Sequence, residues 1–221
     1  MVNFVLSSFN PVFQPMITEA YSNGNTDRIR NLYQQIVDIS AYIVIPIIWG
    51  TILYGKEVLV ILFGAEFEVA YYILIALIFA ETVNALSGPA GDILTMSERQ
   101  KISAYILAVG VTIGVILNLL LIPQFGGFGA AVGTGISIIL INFLRILAIR
   151  RTLQIYQSFE ILIKVSLIVS VIAGVVFLLG KFSESLWINI FLFLFLVPLA
   201  YFFFFKDNFK NVYLTFKSSK K

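Results

Sequence analysis

Six stretches of about 20 consecutive, mostly apolar residues dominate this 221-residue sequence. A helix of that length crosses the roughly 30 Å hydrocarbon core of a bilayer. The six stretches are 36–55, 69–90, 102–122, 128–149, 159–180 and 186–205. The sequence therefore predicts an all-α, multispanning bundle of transmembrane helices.

The amino-acid composition agrees with a membrane location. Hydrophobic residues make up 59% of the chain and charged residues 12%, with a mean hydropathy of +0.95. Soluble domains carry about 25% charged residues, so this chain has too few polar side chains to cover a surface in water. The sequence contains no cysteine and no histidine, which excludes disulfide frameworks, thiolate zinc sites and histidine-dependent catalytic triads.

The first 20 residues are also apolar, but Asn10, Pro11 and Pro15 interrupt them. They lack the basic start and uninterrupted apolar run of a signal peptide. We interpret 1–20 as a partial or kinked seventh transmembrane segment.

Lysine and arginine are distributed very unevenly among the predicted loops. Eleven of the 15 lie in alternate loops and in the C-terminal tail, and only Lys56 and Lys181 lie in the loops between. The eleven are Arg28, Arg30, Arg99, Lys101, Arg150, Arg151, Lys206, Lys210, Lys217, Lys220 and Lys221. Because cytoplasmic loops hold the excess of positive charge, we predict a multi-pass protein of the cell membrane with a cytoplasmic C-terminus.

Two further features concern the membrane boundaries. Arg145 and Lys164 lie about one helical turn inside predicted cytoplasmic helix ends, and we expect them to snorkel as anchors. The apolar run 58–63 is too short to span, so an interfacial helix on the outer face is predicted there.

A polar stripe marks the second predicted span. Glu81, Asn84 and Gly88 recur at helical spacing and lead to Asp92. A charge at the bilayer centre costs on the order of 3 kcal/mol, so Glu81 must be neutral, paired or turned toward a watery cavity. Two interpretations stay open: Glu81, Asn84 and Asp92 line a cavity and steer substrate or a coupling ion, or Glu81 makes a structural hydrogen bond.

Small residues recur every fourth position in the third and fourth spans. The pattern consists of Gly110, Gly114 and Asn118 in the third span and Gly129, Gly133 and Ser137 in the fourth. Such faces let helix backbones approach closely in lipid, and we therefore predict that these four glycines pack helices. Lining of a substrate path is the alternative.

No enzyme motif is present in the sequence. It contains no glycine-rich phosphate loop, no HExxH and no clustered acidic motif for metal-dependent phosphotransfer. We expect a protein that is not an enzyme and that uses no cofactor, no metal and no nucleic-acid partner.

Several motifs occur in an order known from one group of transporters. They are FQPMIT at 13–18, YSNGNTDRIRNLY at 21–33, VLVILFGAEFEVA at 58–70, GPAGDILTMSERQK at 88–101 and LIPQFGGFGAAVGTGIS at 121–137. In these motifs the chain resembles the C-terminal half of polysaccharide and lipid-linked oligosaccharide flippases, the O-antigen-flippase-like branch of the multidrug/oligosaccharidyl-lipid/polysaccharide exporter superfamily.

The resemblance implies one lobe of a two-lobe transporter with two extra helices. The expected divisions are a partial segment at 1–20, a lobe of four transmembrane helices at 21–150, and two additional helices with a basic cytoplasmic tail at 151–221. The implied partners are a polyprenyl-linked oligosaccharide substrate, membrane lipids and a missing N-terminal half, in the same polypeptide or a separate chain. We expect the sequence to be a fragment of a longer transporter.

Two alternatives to this function remain open at the level of sequence. One is an ion-coupled multidrug exporter of the same superfamily. The other is a membrane subunit of a polysaccharide polymerase or glycosyltransferase, which needs an acidic pair on an outer loop, where Glu57, Glu66 and Glu68 are available.

Overall fold

The structure is a computed structural model that describes residues 13–180 and 185–205. All regular structure within these two ranges is helical, which confirms the predicted fold class. The helices are α1 (13–22), α2 (Thr26–Phe63), α3 (Ala70–Leu86), α4 (Ala90–Met96), α5 (Gln100–Leu153), α6 (Glu160–Gly180) and α7 (Leu186–Phe204), with a 3₁₀ helix at Ala65–Val69. The start of the predicted partial segment and the basic tail from residue 206 lie outside the described residues.

Helix α5 is a hairpin of two antiparallel arms, 100–125 and 127–153. Gly126 separates the arms with φ 55° and ψ −133°, a backbone conformation that glycine adopts readily because it has no Cβ. Ser137 Oγ donates a hydrogen bond to Gly110 O across the hairpin at 2.7 Å. Nearer the turn, Asn118 Nδ2 donates to Thr134 Oγ1 at 3.4 Å.

Within residues 13–180 and 185–205, five helical segments are long and apolar enough to cross a membrane. They are Thr26–Phe63, Ala65–Leu86, Gln100–Leu153, Glu160–Gly180 and Leu186–Phe204. Because α5 folds back at Gly126, these five segments provide six crossings by length and composition. This number agrees with the six stretches in the sequence.

Helix α2 is longer than the sequence pattern indicated. It begins after Asn25, whose Oδ1 accepts a hydrogen bond from Arg28 N at 2.9 Å. It then continues unbroken to Phe63 and ends at Gly64. Residues 58–63 are therefore helical as predicted, but they form the exposed end of α2 and not a helix of their own.

Two large apolar clusters among the described residues pack the helices together, and α2 belongs to both. The first cluster packs the start of α2 against α1, α4 and the two ends of α5, and it includes Phe13, Leu32, Ile93, Ile106 and Ile149. The second packs the middle of α2 against α6 and α7, and it includes Ala41, Ile45, Val165, Phe193 and Val197. Helix α2 therefore connects the α5 hairpin region to the α6 and α7 pair.

The segment 154–159, which links α5 to α6, is bound along the start of α2. Arg30 Nη2 donates a hydrogen bond to Gln154 O at 3.0 Å. Gln34 and Ser158 pair in both directions: Gln34 Nε2 donates to Ser158 O at 3.0 Å, and Ser158 N donates to Gln34 Oε1 at 2.7 Å. These bonds fix the point where α6 begins.

The break between α3 and α4 supplies further partners for this segment. Gly88 has φ +59°, and a Cβ there would lie 2.8 Å from Val37 Cγ2, so glycine suits both the turn and the close approach. The last carbonyls of a helix lack partners within it. Gln157 Nε2 accordingly donates to Leu86 O at 2.8 Å, and Tyr33 Oη donates to Ser87 O at 3.0 Å.

Candidate functional site

Three polar side chains form a hydrogen-bonded chain between α3 and the second arm of α5, which we call the membrane cluster: Glu81, Asn84 and Asn142. Asn84 Nδ2 donates to Glu81 Oε2 at 3.2 Å, and Asn142 Nδ2 donates to Asn84 Oδ1 at 2.9 Å. Asn142 Nδ2 also donates to Ile138 O at 2.9 Å, within its own helix. The predicted stripe on α3 is thus joined to a second helix.

Burial differs along the membrane cluster. Asn142 is buried at 3% exposure, whereas Asn84 and Glu81 are half-buried. The carboxylate therefore lies at the more accessible end of the chain of hydrogen bonds. Such a group inside a membrane is typical of a face turned toward water or toward another part of the protein.

Asp92 belongs to a different group of side chains. It follows the break at Gly88, which ends the helical phase of α3, and it lies in α4. Gln14 Nε2 donates to Asp92 Oδ1 at 3.4 Å. Burial raises the pKa of the Asp92 carboxyl, while the Gln14 hydrogen bond and the Arg145 charge act in the opposite direction.

Arg145 lies half-buried against the backbone of α4. A Cβ at Gly91 would lie 2.9 Å from Arg145 Cζ. Its Nε is buried and has no hydrogen-bond partner among the residues described. Lys164, the other predicted anchor, is exposed, unlike Arg145. Its Nζ donates a hydrogen bond to Glu160 Oε1 at 2.6 Å.

All four glycines predicted to pack helices lie buried between the two arms of α5. A Cβ at Gly114 would lie 2.8 Å from Ser137 Oγ, and one at Gly110 would collide with Ile141. A Cβ at Gly129 would collide with Leu121 O, and one at Gly133 with Asn118 Oδ1. What each glycine contributes to stability stays a prediction.

Sequence reasoning missed Asn142, the residue that joins α5 to the membrane cluster. The available signal was its amide within the otherwise apolar stretch 138–144, because a polar group in a membrane helix needs a partner. Nothing in the spacing indicated which helix supplies that partner, since Asn84 is 58 positions away.

The six crossings, with a polar cluster between two of them, define a multi-pass membrane protein. Residues 4–198 match the family model described as lipid II flippase MurJ. The chain belongs to this family, and the predicted likeness to lipid-linked oligosaccharide flippases is confirmed.

Individual relatives agree with the family assignment. The chain is 29% identical over 123 residues to the probable low-salt glycan biosynthesis flippase Agl15 of Haloferax volcanii. The aligned region covers 56% of this chain and 26% of that protein. It is 27% identical over 179 residues to the lipid II flippase MurJ of Bacillus subtilis. This aligned region covers 76% of this chain and 31% of that protein.

A solved structure shows the same fold. The lipid II flippase MurJ in its inward closed conformation superposes with a TM-score of 0.70 at 16% identity, covering 88% of this chain and 42% of that one. The chain thus spans less than half of the solved structure and about a third or less of the two curated relatives.

Proposed function

We propose that this chain is the C-terminal part of a flippase that moves lipid-linked oligosaccharide or glycan repeat units from the cytoplasmic to the outer leaflet. The match of residues 4–198 to the lipid II flippase family carries the proposal. The likeness to a probable glycan biosynthesis flippase and to a lipid II flippase supports a lipid-linked sugar as substrate.

The physical task of such a protein is transfer without chemistry. Each unsatisfied polar group of a sugar costs several kcal/mol in hydrocarbon, so the headgroup needs a hydrated path while its lipid tail stays in the bilayer. Rocking of two lobes around a central cavity exposes that path to each side in turn. In this proposal no bond is made or broken, and the protein is not an enzyme.

Residues 21–150 form one lobe in this scheme, and α6 and α7 are additional helices beside it. The opposite lobe comes from an N-terminal half, in the same polypeptide or a separate chain. The half-buried carboxylate of Glu81 then faces the cavity between the lobes, and Asn84 and Asn142 hold it in place. Asp92 lies farther toward the cytoplasmic end.

Glu81→Gln in the intact transporter tests this role. Glutamine keeps an oxygen that accepts the Asn84 hydrogen bond but removes the titratable charge. We expect a normal membrane yield and a loss of export of about tenfold or more, which corresponds to roughly 1.4 kcal/mol at the limiting step. Surface-glycan export and membrane yield are the two measurements.

The matched control for this test is Glu66→Gln, which removes an exposed carboxylate from the 3₁₀ helix. It should leave export unchanged. Wild-type export by Glu81→Gln would remove Glu81 from the cavity residues. If Glu81→Leu then lowered membrane yield, the carboxylate would have a structural role.

The charge distribution supports a cytoplasmic C-terminus, and single cysteines test it. Gln124, at the α5 turn, and Gln100, at its start, are both exposed, so their cysteine variants form a matched pair. The Gln124→Cys variant should react with an impermeant thiol reagent from outside, and Gln100→Cys should not. Ser97 is fully buried and is unsuitable for this test. The reverse labelling pattern would invert the topology.

A further inference from the structure

A cavity of about 230 Å³ lies between α2, α6 and α7, at the end of the bundle where α6 ends and α7 begins. Tyr54 and Glu57 of α2 and Asn189 of α7 line it together with apolar side chains such as Val176 and Leu186. One water occupies about 30 Å³ of liquid, so the cavity has room for a small headgroup. In the topology proposed above this is the outer end.

Asn189 supplies a hydrogen-bond acceptor that lacks a donor. It is a polar residue in the apolar helix α7 and is 7% exposed. Its Oδ1 is buried and accepts no hydrogen bond from the residues described. A buried acceptor of this kind is destabilising unless a donor reaches it. The cavity therefore favours a ligand that donates hydrogen bonds.

Glu57, which is exposed, adds a negative charge to the lining of the same cavity. The neighbouring Lys56 is engaged elsewhere, because its Nζ lies 2.8 Å from Glu68 Oε1. No ion pair joins Glu57 to any cation in 13–180 or 185–205. The charge of the lining thus favours a cationic donor over a neutral one.

An ammonium group matches this lining better than a metal ion does. No group of three or more carboxylates that could hold a metal occurs in the described part of the chain. A primary ammonium carries one positive charge and three N–H donors. Three of the residues that line the cavity, Tyr54, Glu57 and Asn189, have side-chain oxygens that can accept hydrogen bonds. The apolar wall of Val176 and Leu186 suits the methylene groups that follow such an ammonium.

We propose that this cavity binds a primary ammonium group carried by a membrane lipid, with the ethanolamine headgroup of a phospholipid as its chemical type. The lipid source follows from the position of the cavity beside three membrane-spanning helices, where α6 ends and α7 begins next to residues 53–57 of α2. The site is separate from the membrane cluster and does not depend on the transport function proposed above.

The test is lipid binding to the purified intact transporter in detergent, followed by native mass spectrometry. Phosphatidylethanolamine should bind about tenfold more tightly than phosphatidylcholine, because the quaternary ammonium keeps the charge but has no N–H donor. Glu57→Gln and Asn189→Leu should each lower phosphatidylethanolamine affinity about fivefold to tenfold. Glu66→Gln, an exposed carboxylate near the same end, is the control and should bind like the wild type.

Three results would overturn the proposal. Equal binding of the ethanolamine and choline lipids would show that no N–H donor is recognised. Binding of phosphatidylglycerol as tight as that of phosphatidylethanolamine would show that a hydroxyl suffices. Binding of free ethanolamine without binding of the phospholipid would exclude the lipid source. Because the readout is binding, these results are independent of export.

Discussion

The two arms of α5 approach each other through glycines, whereas α6 and α7 pack against α2 through β-branched and aromatic side chains. In the α5 hairpin, a Cβ at Gly129 would meet the backbone oxygen of Leu121. In the other region, the Tyr42 ring of α2 lies with its centroid 5.3 Å from that of Tyr201, edge to face. One contact surface is nearly backbone to backbone, and the other consists of interlocking large side chains.

The difference matters because lipid supplies no hydrophobic force between helices. Both contact surfaces depend on van der Waals packing and hydrogen bonds, but they are sensitive to opposite changes. An added side chain forces the α5 arms apart, while a deleted ring leaves α2, α6 and α7 with a void.

Gly133→Leu should cause the largest loss. A Cβ at Gly133 would collide with Asn118 Oδ1 and lie 3.2 Å from Asn118 N, so leucine must separate the arms. We expect destabilisation of about 3 kcal/mol, measured as thermal unfolding in detergent and as membrane yield. Gly174→Leu is the matched control, because a Cβ there meets nothing within 4 Å. Equal stability of the two variants would contradict a tight hairpin.

Phe193→Ala should have an intermediate effect. Phe193 is 3% exposed, and its Cε1 would lie 3.6 Å from a Cβ at Gly50 of α2. We expect a loss of about 2 kcal/mol, less than the roughly 3 to 5 typical of soluble cores, because the unfolded reference state in lipid is already apolar. Phe195→Ala on the same helix is 56% exposed and should cost much less. Similar melting of both variants would place the contact surface elsewhere.

Ser137→Ala should have the smallest effect. It removes the hydrogen bond from Ser137 Oγ to Gly110 O but adds no bulk. Hydrogen bonds between membrane helices are worth about 0.6 kcal/mol on average, and we expect a loss of that order in the same melting assay. Ser137→Val sharpens the comparison, since its extra methyl groups point at Gly114 and should destabilise more than alanine. Because both variants lack the hydroxyl, the opposite ranking would mean that the space beside Gly114 accommodates the added methyl groups.

The helices could be predicted because length and apolarity are sufficient for a membrane span. The end of α2 could not, since Lys56 and Glu57 in the sequence indicated a loop after Gly55. Lysine and glutamate are good helix formers, so Lys56 and Glu57 allow the helix to continue after it leaves the hydrocarbon. The structure accordingly continues α2 to Phe63.

The candidate site was predictable only within one helix. Glu81 and Asn84 share a face because they are three residues apart on α3. Asn142 depends on the register between α3 and α5, which no local pattern specifies. The spacing from Asn84 to Asp92 was misleading for a different reason: Gly88 breaks the helix, so helical periodicity does not extend across it.

The segment 154–159 binds α2 with a constant offset, since Arg30 pairs with Gln154, Tyr33 with Gln157 and Gln34 with Ser158, each 124 positions apart. Tyr33 and Gln34 lie three and four residues after Arg30, so the segment contacts one face of α2 over about one helical turn. A shift of the segment by one residue relative to α2 would break all three contacts together, because neighbouring positions on α2 point about 100° apart around the helix axis. Any movement of α2 therefore carries the beginning of α6 with it.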